Sequence, residues 1–328
     1  MLKHTWLALT LVCTAGTAVA QERTTELQVI KDSAAIDRTT QTEDVRFKTD
    51  NTERMTVPVR VAGSGPYRFL VDTGADRTAV SRELAARLKL PAGANAELHS
   101  ITGQTLVSTA MLSGLQLTQR QIKVTDAPLL DGVNIGADGI LGVDSLRSQR
   151  IVFDFKANTM SIVPSSEAEP VTDDNAIVVT ARQRNGRLVV TEAEANGRPA
   201  TVILDTGAQV SIGNSALRKK LFGDAPVDPI HKIDIISVTG EKLEGEWALV
   251  RQLDIGGVKL NDLVVIFADA HAFGTLKLDR RPAILLGMNA MRAFKRVSID
   301  FANRKLRVVL PESGQLDIRM AAASVPRG

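Results

Sequence analysis

Short runs of alternating apolar and polar residues fill most of the chain. These runs are rich in Val, Ile and Leu, and Gly, Asn and Asp separate them, which is typical of short β-strands joined by turns. Apolar positions recur at helical spacing in residues 81–90 and 214–222. The pattern therefore predicts a mostly β protein with one or two short helices in each half.

The same five elements occur twice along the chain and in the same order. The matched segments are 69–76 and 202–209, 81–90 and 214–222, 101–104 and 238–241, 139–143 and 284–288, and 151–155 and 297–301. Such an ordered match indicates an internal duplication. The longer second copy carries its extra residues in predicted loops, where insertions are tolerated.

Each copy contains one Asp-Thr-Gly-Ala sequence directly after three apolar residues. One such tripeptide is weak evidence, whereas two in matching contexts are a strong signal. The apolar residues predict a buried strand that ends at Asp72 in one copy and at Asp205 in the other. Gly74 and Gly207 permit a tight turn and the close approach of a second backbone. We therefore expect a pseudo-twofold axis to bring the two carboxyl groups side by side.

Two adjacent carboxyl groups have a specific chemistry. They cannot both ionise at low cost, so they hold one proton between them. The ionised group can remove a proton from water, and the protonated group can donate to a substrate carbonyl. Because the pair titrates as a unit, neither role is assigned to one aspartate. This chemistry requires no metal and no cofactor.

These motifs resemble those of the retropepsin-like (retroviral-type) aspartic peptidases over residues 55–165 and 185–310. The resemblance implies an acid protease fold of two tandem β-barrel domains related by a pseudo-twofold axis, each with a flap hairpin and short helices. It implies an aspartic endopeptidase, a hydrolase with Asp72 and Asp205 as catalytic residues. The implied substrate-binding residues are Thr73, Gly74, Ala75, Asp76, Gly103, Thr206, Gly207, Ala208 and Gly240.

The resemblance also gives some of these residues a role. It implies that Thr73 and Thr206 cross-link the two aspartate loops by hydrogen bonds. Gly103 and Gly240 would mark the tips of hairpins that close over an extended peptide. Viral members are usually homodimers with one motif per chain, whereas this chain carries two. We therefore expect a monomer that forms a pseudo-dimer within one chain.

The two copies differ in sequence near the expected site. Asp76 follows the first Asp-Thr-Gly-Ala, and Gln209 takes the matching position in the second copy. This difference predicts an asymmetric cleft. It also leaves open an alternative function, an exported non-catalytic protein of the same fold that only binds peptides.

The first 20 residues contain a basic residue, Lys3, then an apolar run at 6–12 and small residues at 18–20. This order predicts a cleaved signal peptide. Export to the periplasm or out of the cell follows, with no membrane anchor after cleavage. Cys13, the only cysteine, would be removed. The predicted domains are a signal peptide 1–20, an N-terminal extension 21–50, a first domain 51–165, a linker 166–180, a second domain 181–312 and a C-terminal tail 313–328.

The resemblance implies a peptide or protein substrate as the partner, and composition argues against nucleic acid. Acidic and basic residues are nearly balanced and only 4 % of residues are aromatic, so nucleic-acid binding has little support. His99, His231 and His271 are scattered without metal-ligand spacing, which favours surface positions. Two roles for residues 21–50 stay open: a pro-segment, or a segment through which copies of the chain assemble.

Overall fold

The computed structural model describes residues 43–49, 54–117, 121–167, 176–184, 187–224 and 232–311. The described part is mostly β, as the alternating pattern predicts, with 23 strands and six short helices. The predicted signal peptide and the predicted C-terminal tail lie outside the described residues. No helix in the described ranges is long and apolar enough to cross a membrane.

The first half contains twelve strands and three helices. The strands are β1 Glu43–Arg46, β2 Lys48–Thr49, β3 Met55–Val61, β4 Ser64–Val71, β5 Ala79–Ser81, β6 Ala96–His99, β7 Gln104–Val107, β8 Thr109–Gln116, β9 Gln121–Leu130, β10 Gly139–Leu141, β11 Gln149–Asp154 and β12 Thr159–Pro164. The helices are α1 Arg82–Arg87, α2 Gly132–Ile135 and α3 Val143–Leu146.

The second half contains eleven strands and three helices. The strands are β13 Ala176–Thr180, β14 Arg182–Arg184, β15 Arg187–Ala195, β16 Arg198–Leu204, β17 Ser211–Gly213, β18 Lys232–Ile236, β19 Lys242–Ile255, β20 Val258–Phe267, β21 Ala283–Leu286, β22 Arg296–Asp300 and β23 Lys305–Val309. The helices are α4 Ser215–Phe222, α5 His271–Thr275 and α6 Met288–Met291.

Each half builds one large sheet with the same central arrangement. The first sheet has the order β2-β3-β4-β10-β5-β9-β8, and the second has β14-β15-β16-β21-β17-β20-β19-β18. In the first, β10 runs parallel to β4 and antiparallel to β5. In the second, β21 runs parallel to β16 and antiparallel to β17. Each aspartate loop therefore starts where a parallel central strand pair ends.

A third sheet joins the two halves. Its order is β1-β12-β11-β22-β23-β13, and β11 pairs with β22 so that Ile151 lies opposite Ile299. Apolar side chains beneath it belong to one core that includes residues from both halves, such as Phe153 and Phe301. Burial of a side chain of this size stabilises the fold by about 2–3 kcal/mol.

Two predicted segment boundaries are wrong in part. The predicted loose extension 21–50 contains β1 and β2, and Phe47 between these strands is buried in the core. The predicted linker 166–180 ends in β13, which pairs with β23. Residues 176–180 are mostly β-branched, a composition that favours strands. The segment was predicted as a linker because the residues before it are polar and acidic.

Candidate active site

Both predicted catalytic aspartates directly follow a central strand. Asp72 follows β4, and its N–H donates to the carbonyl of Leu141 at 3.0 Å. Asp205 follows β16, and its N–H donates to the carbonyl of Leu286 at 3.1 Å. The apolar side chains before each aspartate are buried, because the central strands are covered on both faces. Each aspartate is thus held on rigid backbone rather than on a free loop.

Backbone N–H groups hold each carboxyl group in place. The Oδ1 atom of each aspartate accepts two hydrogen bonds, one from the glycine and one from the alanine that follow in its own turn. The distances to Asp72 are 2.7 Å from Gly74 N and 3.0 Å from Ala75 N, and those to Asp205 are 3.1 Å from Gly207 N and 3.2 Å from Ala208 N. This pairing fixes the orientation of both side chains.

The two carboxyl groups are direct neighbours. A side-chain hydrogen bond joins Asp72 to Asp205. Each also lies against the glycine of the opposite turn: a Cβ atom on Gly74 would stand 2.5 Å from Oδ1 of Asp205, and one on Gly207 would overlap the carboxyl group of Asp72. Any other residue at these two positions would displace the opposite carboxyl group. Glycine is thus required here by the space between the two turns.

Two buried threonines connect the aspartate turns. The N–H of Thr73 donates to Oγ1 of Thr206 at 3.0 Å, and the N–H of Thr206 donates to Oγ1 of Thr73 at 3.1 Å. Each hydroxyl then donates across to the opposite strand, Thr73 to the carbonyl of Leu204 at 3.1 Å and Thr206 to that of Val71 at 2.7 Å. The four bonds fix the spacing of the two halves at the aspartates.

Burial and proximity change the acidity of the pair. Burial, and next the charge of Asp205, raise the pKa of Asp72 to about 7, against the lowering effect of the Gly74 and Ala75 N–H groups. Burial also raises the pKa of Asp205, while the positive charge of Arg187 lowers it. A raised pKa means that the pair retains a proton at pH values where an ordinary aspartate is fully ionised.

An ion pair lies beside the aspartates. Nε of Arg187, at the start of β15, is 3.4 Å from Oδ1 of Asp76, and the arginine side chain is 13 % exposed. Burial raises the pKa of Asp76, and Arg187 opposes this effect. The matching position in the second half is Gln209, which carries no charge. The predicted asymmetry of the site thus includes an asymmetric electrostatic field.

Arg187 was absent from the residues predicted from sequence. The repeat carries a signal for it, because Arg187 precedes Asp205 by 18 positions, and Arg54 precedes Asp72 by the same number. Arg54 has a different partner, the carbonyl of Ile135 at 3.0 Å from Nη2. The arginines occupy matching positions, and Arg187 is paired with the carboxylate of Asp76 beside the aspartates.

The predicted flap glycines lie in the turns of two hairpins. Gly103 lies in the turn between β6 and β7, and Gly240 lies in the turn between β18 and β19. Gly240 has a φ angle of +87°, which favours glycine. Beside these glycines, Ile101 packs against apolar residues of the second half and Val238 packs against apolar residues of the first. Each hairpin therefore contacts the half opposite its own.

Comparison with known families agrees with this geometry. A family model described as aspartyl protease matches residues 57–145 and 191–290, and each matched region contains one Asp-Thr-Gly-Ala turn. No curated protein matches the chain. The two matched regions together cover more than half of the 328 residues. The chain therefore belongs to the aspartyl protease family.

Proposed function

We propose that the chain is an aspartic endopeptidase of retropepsin-like build, with Asp72 and Asp205 as its catalytic residues. The observation that carries this proposal is the pair of hydrogen-bonded carboxyl groups in which burial raises the pKa of Asp72 to about 7. Membership of the aspartyl protease family supports a hydrolase that acts on peptides. The repeated strand arrangement around the aspartates supports two tandem domains related by a pseudo-twofold axis.

The pair would act in its singly protonated form. The ionised carboxylate takes a proton from a water molecule, whose oxygen attacks the scissile carbonyl carbon, while the protonated carboxyl group donates to the carbonyl oxygen. One hydroxyl group of the tetrahedral intermediate then gives its proton to the ionised carboxylate, the C–N bond breaks, and the leaving amine takes the proton of the other carboxyl group. The proton balance closes, so the two aspartates can begin another cycle.

The hairpins and turns would position the peptide. An extended peptide binds through main-chain hydrogen bonds and places alternate side chains in pockets. The hairpins and the aspartate turns would provide the backbone groups for these hydrogen bonds. Gly74 and Gly207 leave backbone exposed at the aspartates, while Thr73 and Thr206 hold the turns at their spacing. Because Asp76 lies on one side and Gln209 on the other, the two sides of the cleft would differ, and a peptide would bind in one direction.

Two further proposals follow from the sequence. We propose that the chain is exported to the periplasm or beyond, because its first 20 residues have the order of a signal peptide. A single chain that carries both aspartates also supports a monomeric enzyme without a second copy.

Digestion of a peptide library tests the catalytic proposal. Asp72→Asn and Asp205→Asn should each lower cleavage at least about 100-fold, since general acid–base catalysis requires both protonation states. Asp131→Asn, at a side chain that is 53 % exposed, is the matched control and should cleave like the wild type. Wild-type activity in either dyad variant would exclude the assignment. Peptide binding by the wild type without any cleavage would favour the non-catalytic alternative.

A further inference from the structure

The turn of the first hairpin, residues 100–103, lies on the second half. The backbone N–H of His271 donates to the carbonyl of Ile101 at 2.8 Å. The Ile101 side chain packs against an apolar cluster that includes Phe273. Oγ1 of Thr102 donates to the carboxylate of Glu241 at the turn of the second hairpin. The turn of the first hairpin therefore contacts both the second half and the turn of the second hairpin.

Two histidines add a contact of a different kind. Nδ1 of His99, at the end of β6, lies 2.9 Å from Nε2 of His271, at the start of α5. Their rings are nearly parallel, with centroids 5.1 Å apart and an interplanar angle of 19°, as expected for an in-plane hydrogen bond. Nε2 of Gln104, on β7, lies 3.3 Å from Nδ1 of His99. The position that matches His99 in the second hairpin is Ile236, so this contact exists on one side only.

A hydrogen bond between two imidazole rings restricts how many protons they hold. One nitrogen must donate and the other must accept, so at most one of the two rings can be an imidazolium. A second proton would place two cations and two N–H donors against each other at 2.9 Å. The contact therefore requires that at least one ring is neutral, which for histidine depends on pH near neutrality.

The charged groups around the two histidines decide how a change in pH affects their contact. Burial, and next the charge of His99, lower the pKa of His271, whereas the nearby carboxylate of Glu97 on β6 raises it. Glu241 accepts from Thr102 and Thr239, and these bonds lower its pKa, so it stays ionised while histidines titrate. Asp269, just before α5, accepts from the N–H and hydroxyl of Ser215 and so faces α4.

We propose that the His99–His271 pair is a proton-sensitive latch, which holds the first hairpin against the second half at neutral pH and releases it in mild acid. The direction of this pH effect follows from the number of protons bound in each state. A histidine with a lowered pKa in the closed state binds fewer protons there than in the open state, so closure is strongest above about pH 6.5 and weakens as the pH falls.

The consequence for catalysis rests on the proposed function. Because the pKa of Asp72 is about 7, the singly protonated pair accumulates as the pH falls below neutrality. Protonation of His271 would release the hairpin over an overlapping pH range. Opening of the cleft to a peptide and formation of the catalytic protonation state would thus occur together.

Hydrogen–deuterium exchange tests the latch without any need for activity. Exchange of residues 96–107 is measured in the full chain from about pH 5 to about pH 7.5, with EDTA present and with correction for intrinsic rates. The wild-type hairpin should lose protection on acidification by a factor larger than the scatter among reference segments, because the open state binds more protons than the closed state. His271→Gln should abolish this dependence, since glutamine does not titrate, and His99→Gln should weaken it, since it removes the imidazole partner of His271. His231→Gln is the matched control and should behave like the wild type.

An internal reference makes the result decisive. Residues 149–164 in the joining sheet report global unfolding, and their protection should not change over this pH range. Protection of the hairpin that is independent of pH in the wild type, or that falls equally in His271→Gln, would overturn the latch. A failure of the proposed function would instead appear as missing cleavage in the peptide library and would leave the exchange result unaffected.

Discussion

Replacement of Asp72 by asparagine should make the protein more stable at neutral pH, although it should remove activity. Asparagine keeps the size of the side chain and an oxygen that can accept from the N–H groups of Gly74 and Ala75. Its amide group can donate to Asp205, so the hydrogen bond between the turns is retained. With asparagine at position 72, only Asp205 has to ionise in this half-buried site at neutral pH.

The magnitude follows from the change in acidity. The pKa of Asp72 rises from 3.8 to about 7 in the folded protein, so the folded state retains a proton that the unfolded chain releases. Wild-type stability is therefore full below pH 3.8 and falls as the pH rises towards 7. At about 1.4 kcal/mol per pKa unit, the loss is on the order of 4 kcal/mol, and solvent in the cleft makes this an upper value.

Urea unfolding followed by far-UV circular dichroism measures this difference. The free energy of unfolding of Asp72→Asn, relative to the wild type, should increase from about pH 4 to about pH 7 and then level off. Asp131→Asn is the control, because its carboxylate is exposed beside Arg82 and its profile should run parallel to the wild type. Parallel profiles for Asp72→Asn and the wild type would refute the shared proton.

Two other substitutions test the surroundings of the pair. Thr206→Val leaves the buried N–H of Thr73 and the carbonyl of Val71 without their partner, so unfolding free energy should fall by about 2–5 kcal/mol in urea titrations; an unchanged value would show that the turns are held by packing alone. Arg187→Gln removes the charge that lowers the pKa of both Asp72 and Asp205, so the alkaline limb of the kcat/KM profile should move to higher pH. A limb that stays in place or moves to lower pH would contradict that electrostatic role.

Local sequence patterns were sufficient to locate the aspartates. Three apolar residues before each Asp-Thr-Gly predict a buried strand followed by a tight turn, and the structure has β4 and β16 there. The matched segments 101–104 and 238–241 also predicted that Gly103 and Gly240 lie in hairpin turns. These features depend on neighbours within a few positions, which a sequence displays directly.

Contacts between distant segments could not be read in the same way. His99 and His271 are 172 positions apart and were predicted as scattered surface residues, yet their rings are in contact. The pairing of Arg187 with Asp76 likewise depends on how the two halves face each other. The edge strand at 176–180 was missed because its partner, β23, lies more than a hundred positions away.

The sheet that joins the halves has a consequence for how the molecule can evolve. In a dimer of identical chains, any substitution appears twice, so both sides of the cleft must change together. Here β11 and β22 keep the two halves in register within one chain, whatever the protein concentration. A substitution can therefore alter one wall of the cleft and leave the other intact. Asp76 facing Arg187, with Gln209 at the matching position, is the outcome that such independence allows.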